Sequence, residues 1–317
     1  MSGGVCVVGS CMYDLVVRSA RRPQPGETVV GESFETFLGG KGFNQAVAAQ
    51  RAGAATSFIG RVGQDEFGRQ FLGGLAVEGL DHHWVVTDAA LGTGVGLPVV
   101  EPGGQNSIII VPQANSRITP EQIEASAGAI TGADVLLLQL EVPLEASLAA
   151  ARVAAEAGVL VVVNPAPYVP LPAELLHLAD VLVPNEVELA AMASIDDDPE
   201  QALAALQSRT EAQIVATLGG RGVLVSVGRA STSLVPAHRV TAVDTVGAGD
   251  VFCGYLAAGL AAGEELIEAV TRANAAAALS VTRHGGATSA PVQNEVVRFM
   301  ASVSADADGH LLSQEVR

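Results

Sequence analysis

Positive charge is scarce in this sequence. Its 317 residues include 17 that are basic and 34 that are acidic, which gives a formal net charge of −17. Proteins that bind the phosphate backbone of nucleic acids need a basic face to displace counterions. The charge balance therefore argues against a nucleic-acid partner.

Aromatic residues, long hydrophobic runs and cysteines are also few. Phe, Trp and Tyr make up 4% of a chain that is 49% hydrophobic, so Ala, Val, Leu and Ile must fill the core. No apolar run approaches the roughly 18–20 residues needed to cross a bilayer, and the N-terminal residues lack the charged segment and cleavage site of a secretion signal. The three cysteines, Cys6, Cys11 and Cys253, have no metal-ligand spacing, and we expect buried thiols rather than disulfides. These features predict a cytoplasmic protein with no membrane segment.

Lysine occurs once, at Lys41, and the other sixteen basic residues are arginine. Codon bias explains the arginines, but it does not explain why one lysine remains within Gly39-Gly40-Lys41-Gly42. Arginine is larger and planar, and it cannot replace a compact ammonium group where space is tight. The exception places Lys41 among the candidate functional residues.

Short apolar strands alternate with segments of helical periodicity over the C-terminal two-thirds of the chain. We predict strands over 134–140, 159–164, 180–184 and 213–218, and helices over 144–157, from about 185, and over 199–206. Gly158 is expected to end the first of these helices. Continuous apolar strands separated by helices indicate a mainly parallel sheet covered on both faces. The expected fold is a doubly wound α/β sandwich formed by residues 1–15, 39–91 and 112–303.

Two segments, residues 25–38 and 92–111, break this alternation because they are rich in β-forming residues and lack helical periodicity. The second contains a predicted turn at Glu101-Pro102-Gly103-Gly104-Gln105-Asn106. We predict a small, separate sheet made of residues 16–38 and 92–111, a β-lid that covers a site, forms a dimer interface, or does both. The polar tail, residues 304–317, is predicted to be mobile.

The stretch from Asp244 to Gly254 carries the strongest chemical signal. Gly247 and Gly249 let successive backbone N–H groups point in one direction, and a helix is predicted directly after them over 251–260. Such a turn forms an anion site, because free N–H donors combine with the positive end of the helix dipole. Asp250 has two interpretations. It is a helix N-cap, or it is a base that takes a proton from a hydroxyl while the anion site holds a phosphoryl group.

No Walker A loop is present, because Gly42 follows Lys41 where that loop requires Ser or Thr, and the protein-kinase motifs are missing. Three motifs resemble instead those of the ribokinase-like, or PfkB, carbohydrate kinases. The run GGKGFNQAVAA over 39–49 resembles the first family signature, and 244–254 resembles the second. Asn185-Glu186-Val187-Glu188 is similar to the N-x-x-E motif that lies between them. The resemblance covers the chain from about Val5 to Pro291.

This resemblance implies that ATP phosphorylates the 5-hydroxyl of D-ribose, with Asp250 as the general base. The backbone groups that would receive the transferring phosphoryl group are those of Gly247, Ala248 and Gly249. Asn185 and Glu188 would organise Mg²⁺ and the nucleotide phosphates, largely through water, because Mg²⁺ dehydrates reluctantly. Outside the motif, Glu188 would be interpreted as part of a solvated helix face.

The resemblance also implies where the substrates bind. The sugar site would consist of Met12, Asp14, Gly40, Lys41, Asn44, Glu141 and Asp250. The nucleotide site would include Asn185, Thr217, Gly219, Gly222, Gly249 and Asn274. Asp14 and Glu141 each follow a predicted strand at its C-terminal end, where open α/β sheets bind ligands. The segment 217–222 is equally explained as a tight hairpin between two strands.

A K⁺ site beside the anion site is implied as well, with Asp244 supplying charge and backbone carbonyls supplying several ligands. Its positions are Asp244, Val246, Ser280, Arg283, Gly285 and Ser289. Bound K⁺ is expected to order the anion-site loop and to raise activity. The resemblance further implies a homodimer through the β-lid, which would cover exposed sheet edges.

Three residues depart from the family pattern: Met12 stands at a position that is often Asn, Phe43 at one that is usually Ala, and Cys253 directly after the anion site. A thioether cannot donate a hydrogen bond, which leaves 2-deoxyribose or another pentose open as the substrate. Phe43 packs beneath the lid or narrows the sugar pocket. A nucleoside kinase is a further alternative, although the scarcity of aromatics disfavours it. A non-catalytic sugar-binding module is disfavoured because both the base and the anion site are present.

Overall fold

The computed structural model describes residues 3–102, 106–227 and 231–314, in which strands and helices alternate. The strands are β1 (Gly4–Val8), β2 (Met12–Arg18), β3 (Ser33–Gly39), β4 (Ala55–Gly63), β5 (Val85–Asp88), β6 (Gly94–Val100), β7 (Asn106–Val111), β8 (Val135–Leu138), β9 (Leu160–Val163), β10 (Val181–Leu182), β11 (Gln213–Thr217), β12 (Val223–Val227) and β13 (Ser231–Val235). The helices are α1 (Lys41–Arg51), α2 (Glu66–Val77), α3 (Pro120–Ala125), α4 (Ala127–Thr131), α5 (Leu144–Ala157), α6 (Ala173–Leu178), α7 (Glu186–Ala193), α8 (Pro199–Gln207), α9 (Ala248–Ala261), α10 (Leu266–Ser280) and α11 (Gln293–Gln314).

The large sheet has nine strands in the order β13-β12-β11-β10-β9-β8-β1-β4-β5. The neighbours from β11 to β5 pair in parallel, and β12 and β13 are added antiparallel. From β1 the chain proceeds in one direction to β4 and β5, and from β8 it proceeds in the other direction to β11. Strand order therefore reverses between β1 and β8, which is where open α/β sheets bind ligands.

Helices cover both faces of this sheet, as expected for a doubly wound fold. Along β8, Val135 and Leu137 face one hydrophobic core, whereas Leu136 and Leu138 face the other. The first core includes buried residues of α1, α9 and α10, and the second includes those of α5 and α8. All four β8 side chains are buried, which explains why the strand is continuously apolar.

Several boundaries agree with the sequence prediction. Helix α5 spans the predicted residues and ends at Gly158, whose left-handed backbone (φ 71°) forms the C-cap. The thiols of Cys6, Cys11 and Cys253 are free and buried, which confirms that prediction. Helix α9 differs, because it begins at Ala248 rather than at residue 251.

A separate four-stranded sheet, in the order β3-β2-β6-β7, is the predicted small sheet, which we call the lid. It begins at Met12 rather than at residue 16, because β2 pairs with β3 without interruption from Met12↔Gly39 to Arg18↔Ser33. Strands β6 and β7 form the predicted hairpin, although residues 103–105 of its turn lie outside the described part.

The C-terminal tail is helical over most of its length. Helix α11 continues through the predicted boundary at residue 304 and runs to Gln314. Its polar composition does not prevent this segment from extending a helix that is already nucleated. Residues 315–317 lie outside the described residues. Within the described ranges, no helix is both long and apolar enough to cross a membrane.

Candidate active site

Two residues that follow β1 and β8 meet where the strand order reverses. The Ser10 hydroxyl donates a hydrogen bond of 2.5 Å to Glu141 Oε2. The same carboxylate oxygen accepts the backbone N–H of Lys41 at 2.8 Å. Glu141 therefore fixes the first residue of α1 at the carboxyl edge of the large sheet.

Glycines allow α1 to approach this edge closely. Gly40 precedes the helix with φ 90°, a conformation that favours glycine. A Cβ atom on Gly42 would lie 2.5 Å from the backbone nitrogen of Ser10, so no larger residue fits there without displacing β1 or α1. The glycine pattern in this motif thus has a packing cause.

Asp250 lies in the first turn of α9, and α1 holds both of its carboxylate oxygens. Asn44 Nδ2 donates to Oδ2 and Gln45 Nε2 donates to Oδ1, each at 3.0 Å. The side chain is only 6% exposed. Its interpretation as an N-cap is wrong, because Gly247 occupies that position and the α9 N-terminus has no side-chain cap.

The N-termini of α1 and α9 converge at this carboxylate. Gly254 of α9 has no Cβ, and one placed there would lie 2.4 Å from the carbonyl oxygen of Gln45. This close crossing brings the first turns together. Helix N-termini carry partial positive charge and free N–H groups, so their convergence favours an anion.

The single lysine adds a full positive charge to the same place. The carboxylate of Asp250 is the main cause of the raised pKa of Lys41, and it outweighs the opposing effect of burial. Glu141 and Glu188 raise the pKa of Lys41 further. The Lys41 ammonium is therefore held in its charged form among three carboxylates.

Asp14 projects from β2 between two glycines on the flanking strands. A Cβ on Gly39 would lie 2.2 Å from Asp14 Oδ2, and one on Gly96 would lie 2.1 Å from Oδ1. Burial, and to a lesser extent the charge of Glu141, raise the pKa of Asp14 to about 6. Asp14 faces the site from the lid, and Glu141 faces it from the large sheet.

Comparison with known proteins identifies the fold family. The model of the pfkB family carbohydrate kinases matches residues 3–293. The chain belongs to this family.

Curated relatives support the assignment over nearly the whole chain. Ribokinase of Bacillus subtilis (strain 168) is 38% identical over 299 residues, covering 94% of this chain and 99% of the relative. Ribokinase of Haemophilus influenzae is 36% identical over 298 residues, covering 93% and 97%. The resemblance noted in the sequence is thereby confirmed.

Solved structures of the family agree with the fold. The ribokinase of Thermotoga maritima matches with a TM-score of 0.88 and 33% identity, covering 94% of this chain and 99% of that one. The Arabidopsis thaliana ribokinase complexed with ribose and ATP matches with a TM-score of 0.89 and 31% identity, at the same coverage.

The pfkB-type N-x-x-E motif forms a capping box at the start of α7. Asn185 Oδ1 accepts the N–H of Glu188, and Glu188 Oε2 accepts the N–H of Asn185, each at 2.8 Å. Glu188 is buried, so its interpretation as part of a solvated face is wrong, and burial raises its pKa. The three-residue spacing is thus explained by helix capping as well as by chemistry.

The predicted nucleotide residues other than Gly249, which lies in the first turn of α9, gather around the β11–β12 hairpin. Thr217 and Asn185 form a parallel bridge, and Gly219 and Gly222 shape the turn with φ values of 56° and 106°. A Cβ on Gly222 would contact residues 235–237, and Asn274 Nδ2 donates to the carbonyl of Pro236 at 2.8 Å. The hairpin therefore connects β11, the segment after β13, and α10.

The predicted K⁺ residues are partly brought together. Asp244 accepts the N–H of Val246 through Oδ1 and that of Gly285 through Oδ2, each at 3.0 Å. Ser280 and Ser289 are buried, whereas Arg283 pairs with Glu295 at 2.7 Å. The acidic group thus joins the anion-site loop to the turn after α10. No group of three or more His, Cys, Asp or Glu side chains in the described ranges could hold a metal ion.

The three residues that depart from the pattern, Met12, Phe43 and Cys253, are all buried. Met12 is 3% exposed, and its sulfur lies 3.6 Å from Asn115 Nδ2. Phe43 packs edge-on against Phe71 with ring centroids 4.9 Å apart. The side chains of Met12 and Phe43 therefore fill space behind the site.

Sequence reasoning missed Ser10 and a buried amide group formed by Gln45, Gln139 and Asn164. Gln139 and Asn164 directly follow the apolar runs of β8 and β9, and all three are buried polar residues. A polar residue at the carboxyl end of a parallel strand was the available signal.

Proposed function

We propose that this protein is an ATP-dependent ribokinase that transfers the γ-phosphoryl group of ATP to the 5-hydroxyl of D-ribose. The curated relatives named above are ribokinases, and one solved relative is complexed with ribose and ATP. The observation that carries the proposal is the buried Asp250 carboxylate at the uncapped N-terminus of α9, beside the single lysine.

Asp250 acts as the general base in this proposal. Its two oxygens each accept one amide hydrogen bond, and a carboxylate has further lone pairs for a substrate hydroxyl. As the hydroxyl attacks, its proton passes to Asp250. The N–H groups of Gly247, Ala248 and Gly249 receive the charge of the transferring phosphoryl group, with Lys41 as a fixed cation nearby.

The sugar is held between the lid and the large sheet. Asp14 and Glu141 accept hydrogen bonds from its hydroxyls, and Asn44 has an amide that already bridges Asp250 and the N–H of Ala287. Gly40 lets the backbone approach the ring. Since Met12 contacts Asn115, its effect on the choice of pentose is proposed to act through packing near Gly40 rather than through a direct polar contact.

Mg²⁺ and the nucleotide lie on the other side of Asp250 in this proposal. Glu188 has one carboxylate oxygen in the capping box, and its other oxygen suits water of a hydrated Mg²⁺ ion. When bound, Mg²⁺ would neutralise phosphate charge. Asn185, Thr217, Gly219, Gly222 and Asn274 form the nucleotide side of the site.

We also propose that K⁺ activates the enzyme through Asp244. This carboxylate already links the anion-site loop to Gly285, so a cation here would stiffen the same connection. Val246, Ser280, Arg283, Gly285 and Ser289 would supply the remaining oxygens. Equal rates in Na⁺-only and K⁺ buffers would argue against this site.

A homodimer through the lid is proposed on the basis of apolar exposure. Three large apolar side chains of the small sheet are exposed to solvent: Phe34 is 62% exposed, Ile108 52% and Ile109 66%. Among the described strands, its edge strands β3 and β7 each pair with one neighbour. Sedimentation of wild type and Ile109→Asp tests this, because the substitution should yield monomers.

We also propose a cytoplasmic location, which the free thiols support.

The main test is coupled ATP turnover against ribose, 2-deoxyribose, fructose and adenosine with Mg²⁺. We expect ribose to give the highest kcat/KM and ribose 5-phosphate as the product. Asp250→Asn should lower kcat on the order of 10²-fold or more without unfolding the protein. A preference for deoxyribose would direct attention to Met12, and adenosine turnover would favour the nucleoside-kinase alternative.

A further inference from the structure

We propose that Gln45 is a positioning residue that orients the Asp250 carboxylate by connecting it to the ends of three strands of the large sheet. The inference deepens the proposed function, because it rests on Asp250 as the base. Gln45 itself is fully buried and lies behind Asp250. It therefore acts through Asp250 and does not contact the substrate.

The Gln45 amide group makes three short hydrogen bonds. Its Nε2 donates to Asp250 Oδ1 and to Asn164 Oδ1, both at 3.0 Å. Its Oε1 accepts from Gln139 Nε2 at 2.7 Å. Both protons and the carbonyl of this amide are thus used, which is the most specific arrangement that such a side chain offers.

The direction of the Gln45 bonds is set by Asn164 at the end of β9. Asn164 Nδ2 donates to the carbonyl of Val183 at 2.8 Å, so Asn164 must turn its oxygen toward Gln45. The Asn164 oxygen requires a hydrogen-bond donor, so Gln45 must turn its Nε2 rather than its Oε1 toward Asn164. The same Nε2 group then faces Asp250. A rotated Gln45 amide would place its oxygen against both the Asn164 oxygen and the Asp250 carboxylate, which is costly in a buried site.

The three anchoring residues follow successive strands. Gln139 follows β8, Asn164 follows β9 and Val183 follows β10, so the group spans the rigid carboxyl edge of the sheet. The space is tight as well, because a Cβ on Gly9 would lie 2.4 Å from Gln139 Oε1. Asp250 is thereby tied to the sheet as well as to the first turn of α9.

Orientation of the base affects catalysis more than binding. Asn44 holds Oδ2, so loss of Gln45 frees only Oδ1 and lets the carboxylate turn about its Cβ–Cγ bond. Misplacement of a reacting group by about 1 Å can lower the rate on the order of 10²-fold. The sugar and ATP contacts proposed above do not involve Gln45, so KM should change little.

The first experiment compares Gln45→Met with wild type. Met has a similar length and no donor, and we expect kcat to fall about 10- to 100-fold while both KM values stay within about twofold. The matched control is Gln207→Leu, which removes another buried glutamine amide that donates to the carbonyls of Thr210 and Ala212. Gln207→Leu should lose stability but keep kcat. A Gln45→Met enzyme with wild-type kcat overturns the proposal.

A second variant, Gln45→Glu, keeps the shape of the side chain and replaces the amide that donates to Asp250 with a titratable carboxyl group. When ionised, the introduced carboxylate repels Asp250, and when protonated it can donate one hydrogen bond to it. The activity of Gln45→Glu relative to wild type should therefore increase as the pH is lowered from 8 to about 5.5. A ratio that does not depend on pH contradicts the positioning role.

A crystal structure of Gln45→Met separates failure of this inference from failure of the proposed function. We expect the Asp250 carboxylate to be rotated while the α9 backbone is unchanged. If wild type does not phosphorylate ribose, the function assigned to the chain is wrong, but a rotated carboxylate still supports Gln45 as its positioning residue. An Asp250 side chain in its wild-type position overturns the inference.

Discussion

The Ser10 hydroxyl donates a hydrogen bond of 2.5 Å to Glu141 Oε2 and so joins the ends of β1 and β8. These two strands are adjacent in the large sheet although the residues are 131 positions apart. The contact lies where the strand order reverses, and Lys41 and Gly42 of α1 also bind to it through their backbone N–H groups. The Ser10 hydroxyl thus helps to align Glu141, which is proposed to bind the sugar, with α1, the helix that holds the proposed base Asp250.

Ser10→Ala is expected to raise the KM for ribose more than it lowers kcat. Loss of one hydrogen bond to a charged group costs about 1.5–3 kcal/mol, but the Lys41 N–H still holds Glu141, so a five- to tenfold increase in KM is about the effect expected. Steady-state kinetics measures it. Ser147→Ala is the matched control, because Ser147 Oγ is buried with no hydrogen-bond partner among the described residues. An unchanged KM in Ser10→Ala would show that Glu141 needs no support from Ser10.

Asp14→Asn is expected to stabilise the folded protein at pH 7.5. The pKa of Asp14 is raised to about 6 from 3.8, so the folded state binds a proton more tightly than the unfolded state. Stability from this group is full below pH 3.8 and is lost as pH rises through about 6. Removing the charge should therefore gain about 2 kcal/mol at pH 7.5 after allowance for partial exposure, and little at pH 4.

Denaturant unfolding at the two pH values measures this difference. Asp88→Asn serves as the opposite control, because its N–H donors and Arg61 lower the pKa of Asp88 to about 2. That substitution should destabilise the protein at pH 7.5. If Asp14→Asn is destabilised equally at both pH values, the carboxylate does not carry the proposed burial penalty.

Local patterns predicted the framework, but long-range contacts determined the site. Helix α5 and its end at Gly158 follow from periodicity and one glycine, and the turn at Gly247 and Gly249 was visible as an anion site. The bond from Gln45 to Asp250 joins residues 205 positions apart, and it depends on how closely α1 crosses α9. No local pattern encodes that crossing.

Two further features show why residue types alone were insufficient. Met12 was predicted at the sugar, and no local pattern indicated that its sulfur would lie 3.6 Å from Nδ2 of Asn115, which is 103 positions away. The start of the small sheet was predicted at residue 16, four residues too late. The sequence of residues 12–18 does not show that Asp14 pairs with Phe37 of the neighbouring strand β3. In both cases the partner in space, rather than the residue itself, decided the structure.

Lys41→Arg is expected to be nearly as inactive as Lys41→Met. Lys41 lies among Asp250, Glu141 and Glu188, and the charge is present in Arg, but the planar guanidinium needs more room than an ammonium group. Both variants should lower kcat/KM on the order of 10²-fold or more, since Lys41→Met removes the cation near the transferring group and Lys41→Arg displaces it. Arg298→Lys on α11 is the control, because it makes the reverse exchange at an exposed position. Substantial activity in Lys41→Arg would contradict the steric explanation for the single lysine.

Glu188→Gln should separate the capping role of this residue from its proposed role toward Mg²⁺. The Gln side chain can still accept the N–H of Asn185, so the capping box and the stability of α7 should be retained to within about 0.5 kcal/mol. The negative charge is lost, however, and the Mg²⁺ concentration needed for half-maximal activity should rise several-fold. Activity titrated with Mg²⁺ at fixed ATP measures this.

The corresponding control removes a cap without a proposed metal role. Asp198 caps α8 by accepting the N–H of Gln201 at 2.9 Å, and Asp198→Ala should cost about 1 kcal/mol while leaving the Mg²⁺ dependence unchanged. If Glu188→Gln and Asp198→Ala show the same Mg²⁺ dependence as wild type, Glu188 is a helix cap alone. In that case the spacing of the N-x-x-E motif would be fully explained by the two backbone hydrogen bonds at the start of α7.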